Sequence, residues 1–458
     1  MGSAKPFLPL DPVSDSTIFA DRSRPARHLS APKRNVMNDS LQTCDRPGSK
    51  ESAPMPEQYS RRSFLSGVLT CGAVSAAAVY LLPGGHRPPP VELRLATGAD
   101  PTGARKLLMD MWNQANPDTP ARFTDEVEGG SGDERTRLLT AARNGSADIL
   151  NLDVVDIPEF TAQKLITPIR LTDPNFLTSV RNLHQVDDTS NSYWAAPLNT
   201  DVGMLFWRNP GTEQPDVVNL SAVLGSLADK GSFVGQLRPN SSNYNEGFLV
   251  NILEHALSVN TDLLSATGEI LFELKPWQRA LQPLQAAIAA GTVNRSSDEN
   301  ASLDTFVEGR PTFMRNWPVK YRELQQRKDP DLLAGKIKVY PLTSGVLGGQ
   351  SLALARACPH PDQALRFINF MTGTAAQKVL AGHGFAPTLA EAYNDRNLQA
   401  VIPHLEALRG AVENARPRPM HPGYRAFAEV FVDHVARMLR GESDLTSEFI
   451  AAMKAALA

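Results

Sequence analysis

Cysteine is nearly missing from this chain, with three in 458 residues. Cys44 and Cys71 fall in the N-terminal region, so Cys358 stands alone in the folded part and an internal disulfide there is excluded by arithmetic. The nine histidines are scattered, without the spacing of a metal motif such as H-E-x-x-H. Neither a Gly-x-Ser-x-Gly nucleophile elbow nor a Walker-type phosphate loop occurs. No metal, cofactor or catalytic residue is therefore assigned. A large charge of one sign is absent too: the formal net charge is −3, which gives no basic field for nucleic acid or anionic lipid. A neutral or amphoteric small ligand fits that balance better than a polyanion. Residues 91–458 hold no internal repeat, heptad run or low-complexity tract. A carboxylate pair for glycoside hydrolysis is not excluded by spacing, because such pairs assemble only in three dimensions.

What is present is ordinary globular composition, 42% hydrophobic and 21% charged, on a chain longer than one hydrophobic core usually serves. Residues 1–60 differ: they are rich in Pro, Ser, Arg and Asp without apolar periodicity, and read as a disordered leader or a mis-assigned start. Arg61-Arg62-Ser63-Phe64-Leu65 then precedes an apolar run to Leu82 and a Pro88–Pro90 spacer. A cationic pair before an uncharged apolar run is the physical form of an export signal, and here it resembles the twin-arginine signal. Translation is expected to start at Met55 or Met37, the alternative being a long cytoplasmic extension. Three outcomes stay open for residues 61–90. Cys71 after Val68-Leu69-Thr70 loosely resembles a lipid-attachment site. The Phe64–Leu82 run, roughly 28 Å as a helix, could anchor in a hydrocarbon core of about 30 Å. Cleavage after Ala76-Ala77-Ala78 is the third. The protein is expected outside the cytoplasm, tethered to the outer face of the membrane.

Beyond the spacer, Val91–Leu95 alternates as a strand, Ala96–Gly103 is a loop, and Ala104, Leu107, Leu108, Met111, Trp112 and Ala115 fall at helical spacing. The order repeats with a helix over 135–143 and an apolar strand over 148–154. Helices are expected over 248–257, 277–290 and 303–308, and strands over 337–342 and 351–355 around a Gly-containing loop. An apolar stripe from Phe427 to Met438 marks a late helix stopped at Gly441. Strands alternating with amphipathic helices predict an α/β fold on mostly parallel sheets.

Polar and aromatic residues cluster where such strands end, which is where α/β lobes bind ligands. Asp153 and Asp156 follow Ile149-Leu150-Asn151-Leu152, and Asp201 ends Pro197–Thr200. Glu246 precedes a helix, Trp317 follows Asn316, Gly349-Gln350 opens an apolar segment, and Arg416-Pro417 precedes the last helices. Carboxylates and amides exchange hydrogen bonds with vicinal hydroxyls, Arg donates in a fixed fork, and an indole covers the C–H face of a pyranose. Each residue also has a plainer reading: Asp153 or Asp156 as a helix cap, Asp201 as a turn residue, Glu246 as a solvated charge, Trp317 as core, Arg416 as an ion-pair partner. Gly129-Gly130-Ser131-Gly132 reads as a flexible turn with free amides.

In this order the segments resemble the extracellular solute-binding proteins of ABC importers, in their carbohydrate branch. Asp148-Ile149-Leu150-Asn151-Leu152-Asp153 with Glu159-Phe160 is similar to that family's "DV-x-x-LD…EFA" block. Pro197-Leu198-Asn199-Thr200-Asp201 through Arg208 is similar to its "P-x-NTD-x-G-L-x-YR" crossover, and Phe306 through Asn316-Trp317-Pro318 to its "F-x-x-G-x-x-x-M…NWP" segment. Gly348-Gly349-Gln350 and Arg416-Pro417…Tyr424 complete the series. The trehalose- and maltose-binding members are the nearest resemblance. It implies a two-lobed, periplasmic-binding-protein-like fold (type II) with the ligand cleft between lobes joined by hinge strands. The implied lobes are 91–201 with 350–395 and 202–349 with 396–458, crossing near Asp201–Leu205, Val346–Ser351 and Asn394–Gln399. It implies sugar contacts at Asp100, Asp153, Asp201, Glu246, Trp317, Gly349 and Arg416. Gln350 stands where the family often has Trp or Leu, which exchanges apolar surface for an amide. The implied function is capture of a small sugar, a disaccharide, by hinge closure and its delivery to an ABC permease by a monomeric, non-catalytic protein. A glycoside-processing enzyme and a sugar-sensing receptor are the alternatives.

Overall fold

A computed structural model of the chain describes residues 90–124, 131–172, 175–187, 191–212, 214–239 and 245–458. The leader, the export and anchor segment (Pro90 apart) and the Gly129-Gly130 turn lie outside the described residues. Among the described residues no helix is long and apolar enough to cross a membrane.

The strands in chain order are β1 (Leu93–Ala96), β2 (Ala121–Phe123), β3 (Ile149–Asp153), β4 (Ile166–Thr167), β5 (Ala196–Asp201) and β6 (Met204–Arg208). They continue with β7 (Phe233–Gly235), β8 (Val293–Arg295), β9 (Phe313–Asn316), β10 (Ile337–Pro341), β11 (Val346–Ala355) and β12 (Arg416–Pro417). One sheet has the order β12-β11-β3-β1-β2, with β4 and β5 also on β11; the other runs β10-β6-β9-β7-β8. The fold is thus α/β with two lobes, one around each sheet.

In the first sheet β1 pairs parallel with β2 and β3, and β11 runs antiparallel to β3 and β5. Leu93, Leu95, Ile149, Leu150 and Leu152 are all buried, as parallel strands covered on both faces must be. Helix Ala104–Ala115 covers one face with Ala104, Leu108, Met109 and Trp112 buried, spaced to form a single stripe. Asn116 stops that helix: its backbone N–H and its side chain both donate to Trp112 O. Helices Pro361–Thr372 and Thr374–Gly382 add Phe367, Met371 and Leu380 to this core.

The second lobe is built on helices Glu246–Leu257, Leu274–Ala289, Tyr424–Leu439 and Ser447–Ala456. Phe427, Phe431 and Val435 recur along one helix face and are fully buried, with the Trp277 ring 5.6 Å from Phe431 at a steep angle.

Two short crossings run from strand to strand between the sheets, and after β12 the chain passes again into the second lobe through helix Tyr424–Leu439. The chain leaves β5 at Asp201 and enters β6 at Met204, then leaves β10 at Pro341 and enters β11 at Val346. Two expectations are corrected. Gly348-Gly349-Gln350 do not form a loop but lie within β11, where register shifts between Gln350 and Ser351. Asn394–Gln399 is not a crossing strand, because Asp395 caps helix Arg396–Val401 through the N–H groups of Asn397 and Leu398.

Candidate ligand site at the lobe junction

The carboxyl end of β3 places Asp153, which does two things at once. Oδ1 accepts from the Val155 N–H at 3.2 Å, capping the turn 154–156, and from Arg418 Nη2 at 2.8 Å. From the second lobe, Glu246 opens helix Glu246–Leu257 behind an Asn245 cap that accepts from Phe248 N at 2.8 Å. Oε1 of Glu246 accepts from Arg418 Nη1 and from the Tyr424 hydroxyl at 2.5 Å. Arg418 also donates through Nε to Leu347 O, at 3.3 Å. One guanidinium, with 2% of its side chain exposed, therefore ties a first-lobe carboxylate to a second-lobe one beside the crossing into β11.

The electrostatics follow from that crowding. Burial would lower the Arg418 pKa, but Asp153 and Glu246 raise it well above the ordinary value, so it stays cationic. Burial raises Asp153; Arg418 opposes this and Glu246 adds to it. Asp156 is raised well above its usual range by burial and by Asp153. Glu134, on helix Ser131–Asn144, is also raised by burial, against Arg105 and an N–H donated by Gly98.

Asp201 ends β5 opposite Gly348, and an added Cβ on Gly348 would lie 3.6 Å from Asp201 Cβ and 3.5 Å from Arg418 Nη2. Burial drives the Asp201 pKa from 3.8 to about 7, with Arg315 opposing and Glu299 and Asp153 adding. The folded-state value lies above the unfolded one, so the folded protein holds the proton more tightly. That stabilisation is complete below about pH 4 and lost as pH rises through 7. Asp201→Asn cannot ionise. Its stability relative to wild type is expected to climb between pH 4 and 8 by about 2 kcal/mol, the full shift being discounted because Asp201 is only half-buried. Urea denaturation at both pH values checks this, and a pH-independent difference contradicts it.

Trp317 follows β9. One face of its ring carries the Arg315 guanidinium, 3.9 Å from the ring centroid, and the half-buried residue packs against the large core, so the core reading holds in part. Gln350 lies on β11 opposite Asp153 and Asn199. Its Oε1 receives Asn151 Nδ2 at 3.3 Å and Arg105 Nη1 at 3.4 Å, so the amide carbonyl is held and oriented.

Three expected contacts are placed differently. Asp100 is a local cap: it accepts from Thr102 N at 2.9 Å, Thr102 Oγ1 at 2.6 Å and Arg105 N at 2.8 Å. Burial acts to raise its pKa, but Arg105 and those bonds hold it below the ordinary value. Gly349 serves the backbone, at φ +137° against Thr200 of β5. Arg416 turns away from the cluster and donates to the carbonyls of Thr261 and Leu264; Arg418, two residues on, bonds Asp153 and Glu246 instead. The sequence offered two successive Arg-Pro pairs with nothing local to choose between them. Tyr424, Arg105 and Asn151 were not among the expected contacts but bond candidate residues, Tyr424 to Glu246 and the other two to Gln350; the charge of Arg105 inside an apolar helical stripe is a signal in the sequence.

A cavity of about 310 Å³ is lined by Pro101 and Thr102 on one side and Val319, Arg322 and Arg327 on the other; no residue of the cluster lines it. Among the described residues no group of His, Cys, Asp and Glu could hold a metal ion.

Solved proteins share this architecture. Maltose-bound MalE3 of T. maritima superposes with a TM-score of 0.69 at 22% identity, over 80% of this chain and 99% of that one. The GacH receptor of Streptomyces glaucescens gives 0.65 at 17%, over 80% and 98%. An Agrobacterium vitis ABC transporter solute-binding protein with bound D-mannitol gives 0.62 at 17%, over 80% and 96%. A Deinococcus radiodurans protein named as a probable ABC transporter-binding protein is 27% identical over 306 residues, 61% of this chain and 71% of its own length. The sequence profile described as "Bacterial extracellular solute-binding protein" matches residues 108–403, well over half of the chain. With two lobes, two short crossings and a polar cluster spanning the junction, the chain belongs to the bacterial extracellular solute-binding proteins.

Proposed function

We propose that this protein is the extracytoplasmic binding component of an ABC importer, and that it captures a small neutral carbohydrate, a disaccharide or a related polyol, by closure of the lobes. The observation that carries this reading is Arg418 held between Asp153 of one lobe and Glu246 of the other. A ligand whose hydroxyls donate hydrogen bonds to both carboxylates contacts both lobes at once and so favours the closed state. Trp317 supplies the apolar face for a sugar ring, and Asp201 and Gln350 supply further polar edges. Similar proteins support the same reading: MalE3 of T. maritima is solved with maltose, the GacH receptor with acarbose and an acarbose homologue, and the A. vitis protein with D-mannitol. The permease is the partner that reads the closed form, and the protein acts as an exported, membrane-tethered monomer. A micromolar dissociation constant corresponds to about −8 kcal/mol, within reach of a few hydrogen bonds and one stacked indole.

A thermal-shift screen of maltose, trehalose, monosaccharides and polyols tests the proposal. At a ligand concentration of 100 times Kd, stabilisation is about 2.7 kcal/mol, and Trp317→Ala is expected to erase the shift without altering the fold. A panel that shifts nothing sinks the proposal.

One observation favours a second reading. Asp201, with a pKa of about 7, is protonated often enough near neutrality to act as a general acid towards a glycoside. Steady release of monosaccharide from a bound disaccharide would establish that reading in place of the first.

A further inference from the structure

Behind the cluster lies a second ion pair with no part in it. Glu254 and Arg315 are both 0% exposed, and Arg315 Nε donates to Glu254 Oε2 at 2.5 Å. Glu254 sits two turns along the helix that Glu246 opens, about 12 Å further on. Its other carboxylate oxygen, Oε1, accepts from the Gly203 N–H at 3.2 Å and the Val346 N–H at 3.4 Å. Those two amides belong to the two different crossings between the sheets. The backbone O of Glu254 also receives the Ser344 hydroxyl at 2.8 Å, within the second crossing. The crossings touch at this level, since a Cβ on Gly345 would reach Val202 Cγ2 at 2.7 Å. A Cβ on Gly203 would strike Glu254 Oε1 and come within 2.6 Å of Arg315 Nε, so the first crossing carries glycine where the carboxylate passes.

Arg315 extends this pair towards the ligand side. It lies on β9 opposite Leu205 of β6, the strand that the first crossing enters, and its guanidinium stacks on Trp317. It also provides the main positive charge acting on Asp201. Among the described residues its Nη1 and Nη2 have no hydrogen-bond partner. A buried ion pair is weak evidence for stability, because apolar residues of similar volume often serve as well. Its placement therefore calls for another role.

We propose that Glu254 and Arg315 are a positioning pair that forms the hinge pin: the Glu254 carboxylate fastens both crossings at one point, and Arg315 connects that point to Trp317. Lobe opening then pivots about Glu254, and the restraint on the crossings limits how far the ligand-free lobes part. The pin rests on the hinge-closure reading above, but its test needs no ligand.

Single substitutions leave one charge buried alone, so paired variants are compared. Glu254→Gln with Arg315→Met keeps an acceptor oxygen at Oε1; Glu254→Leu with Arg315→Met removes it. Hydrogen exchange by mass spectrometry on the ligand-free full chain reads peptides over 201–205 and 343–348. In the Leu/Met variant these are expected to exchange about 10-fold or more faster than in the Gln/Met variant, while peptides over 93–96 and 149–153 match. Small-angle scattering is expected to show a larger radius of gyration for the Leu/Met variant alone. Equal exchange at the crossings in both variants, faster exchange spread evenly over the chain, or an unchanged radius of gyration would each overturn the pin. A failed sugar screen would leave these results standing, so the two proposals fail separately.

Discussion

Arg418→Ala is expected to lower ligand affinity by more than ~100-fold, as removal of a central buried charge partner does. The change leaves Asp153 and Glu246 without their shared counter-charge at the lobe junction. Removing one member of a buried pair costs about 3–5 kcal/mol. The low end, about 3 kcal/mol, is expected here because Asp153 keeps 36% of its side chain in contact with solvent. The stability loss is expected to shrink on acidification: Asp153, already raised by burial, loses its main opposing charge and takes up a proton more readily. Arg416→Ala is the informative contrast. It removes bonds to two backbone carbonyls, costs about 1 kcal/mol, and leaves affinity within about twofold. Denaturant titrations and calorimetry on the two variants decide the matter; equal effects on binding would return the site to Arg416.

Gly349→Ala carries the second large effect. A Cβ there would overlap Asn199 O and lie 2.8 Å from Thr200 Cα, both backbone atoms of β5 that cannot step aside as a side chain would. The φ of +137° is one that an L-residue rarely adopts. Strain and the forced separation of β11 from β5 together are expected to cost about 3 kcal/mol or more. Binding should weaken as well, because Gln350 and Asp201 flank the same pairing. Gly348→Ala serves as the control for stability: its nearest neighbours lie at 3.5–3.7 Å, ordinary contact, so it should fold nearly as well as wild type. Similar unfolding midpoints for the two variants would contradict the account of Gly349.

These two cases show what the sequence can and cannot convey. The helix Ala104–Ala115 and the passage from Asp201 to Met204 were legible because the signals are local: apolar spacing, an Asn-Pro stop, and the polar triplet Asn199-Thr200-Asp201 between apolar segments. Asp153, Asp201 and Glu246 were legible as site candidates because strand ends and helix starts are local features too. Arg418 was not, since its partners lie 265 and 172 residues away and Arg416 has the same neighbour in sequence. The strand through Gly348-Gly349 was hidden for a related reason: paired glycines read as a loop unless the opposing strand is known to need the space. Glu254 left a trace that went unused, a lone carboxylate within the apolar run Phe248–Leu257. Burying it demands a counter-charge somewhere in the fold, and Arg315 supplies it.

The central claim is that one neutral sugar or polyol is held between the lobes by the Asp153–Arg418–Glu246 cluster. Calorimetric titration of the protein with the solute that most raises its melting temperature tests this most directly. The account predicts one site per chain with a dissociation constant near micromolar, about −8 kcal/mol, abolished in Arg418→Ala and preserved in Arg416→Ala. No saturable heat with any neutral sugar or polyol, or wild-type affinity in Arg418→Ala, would contradict it.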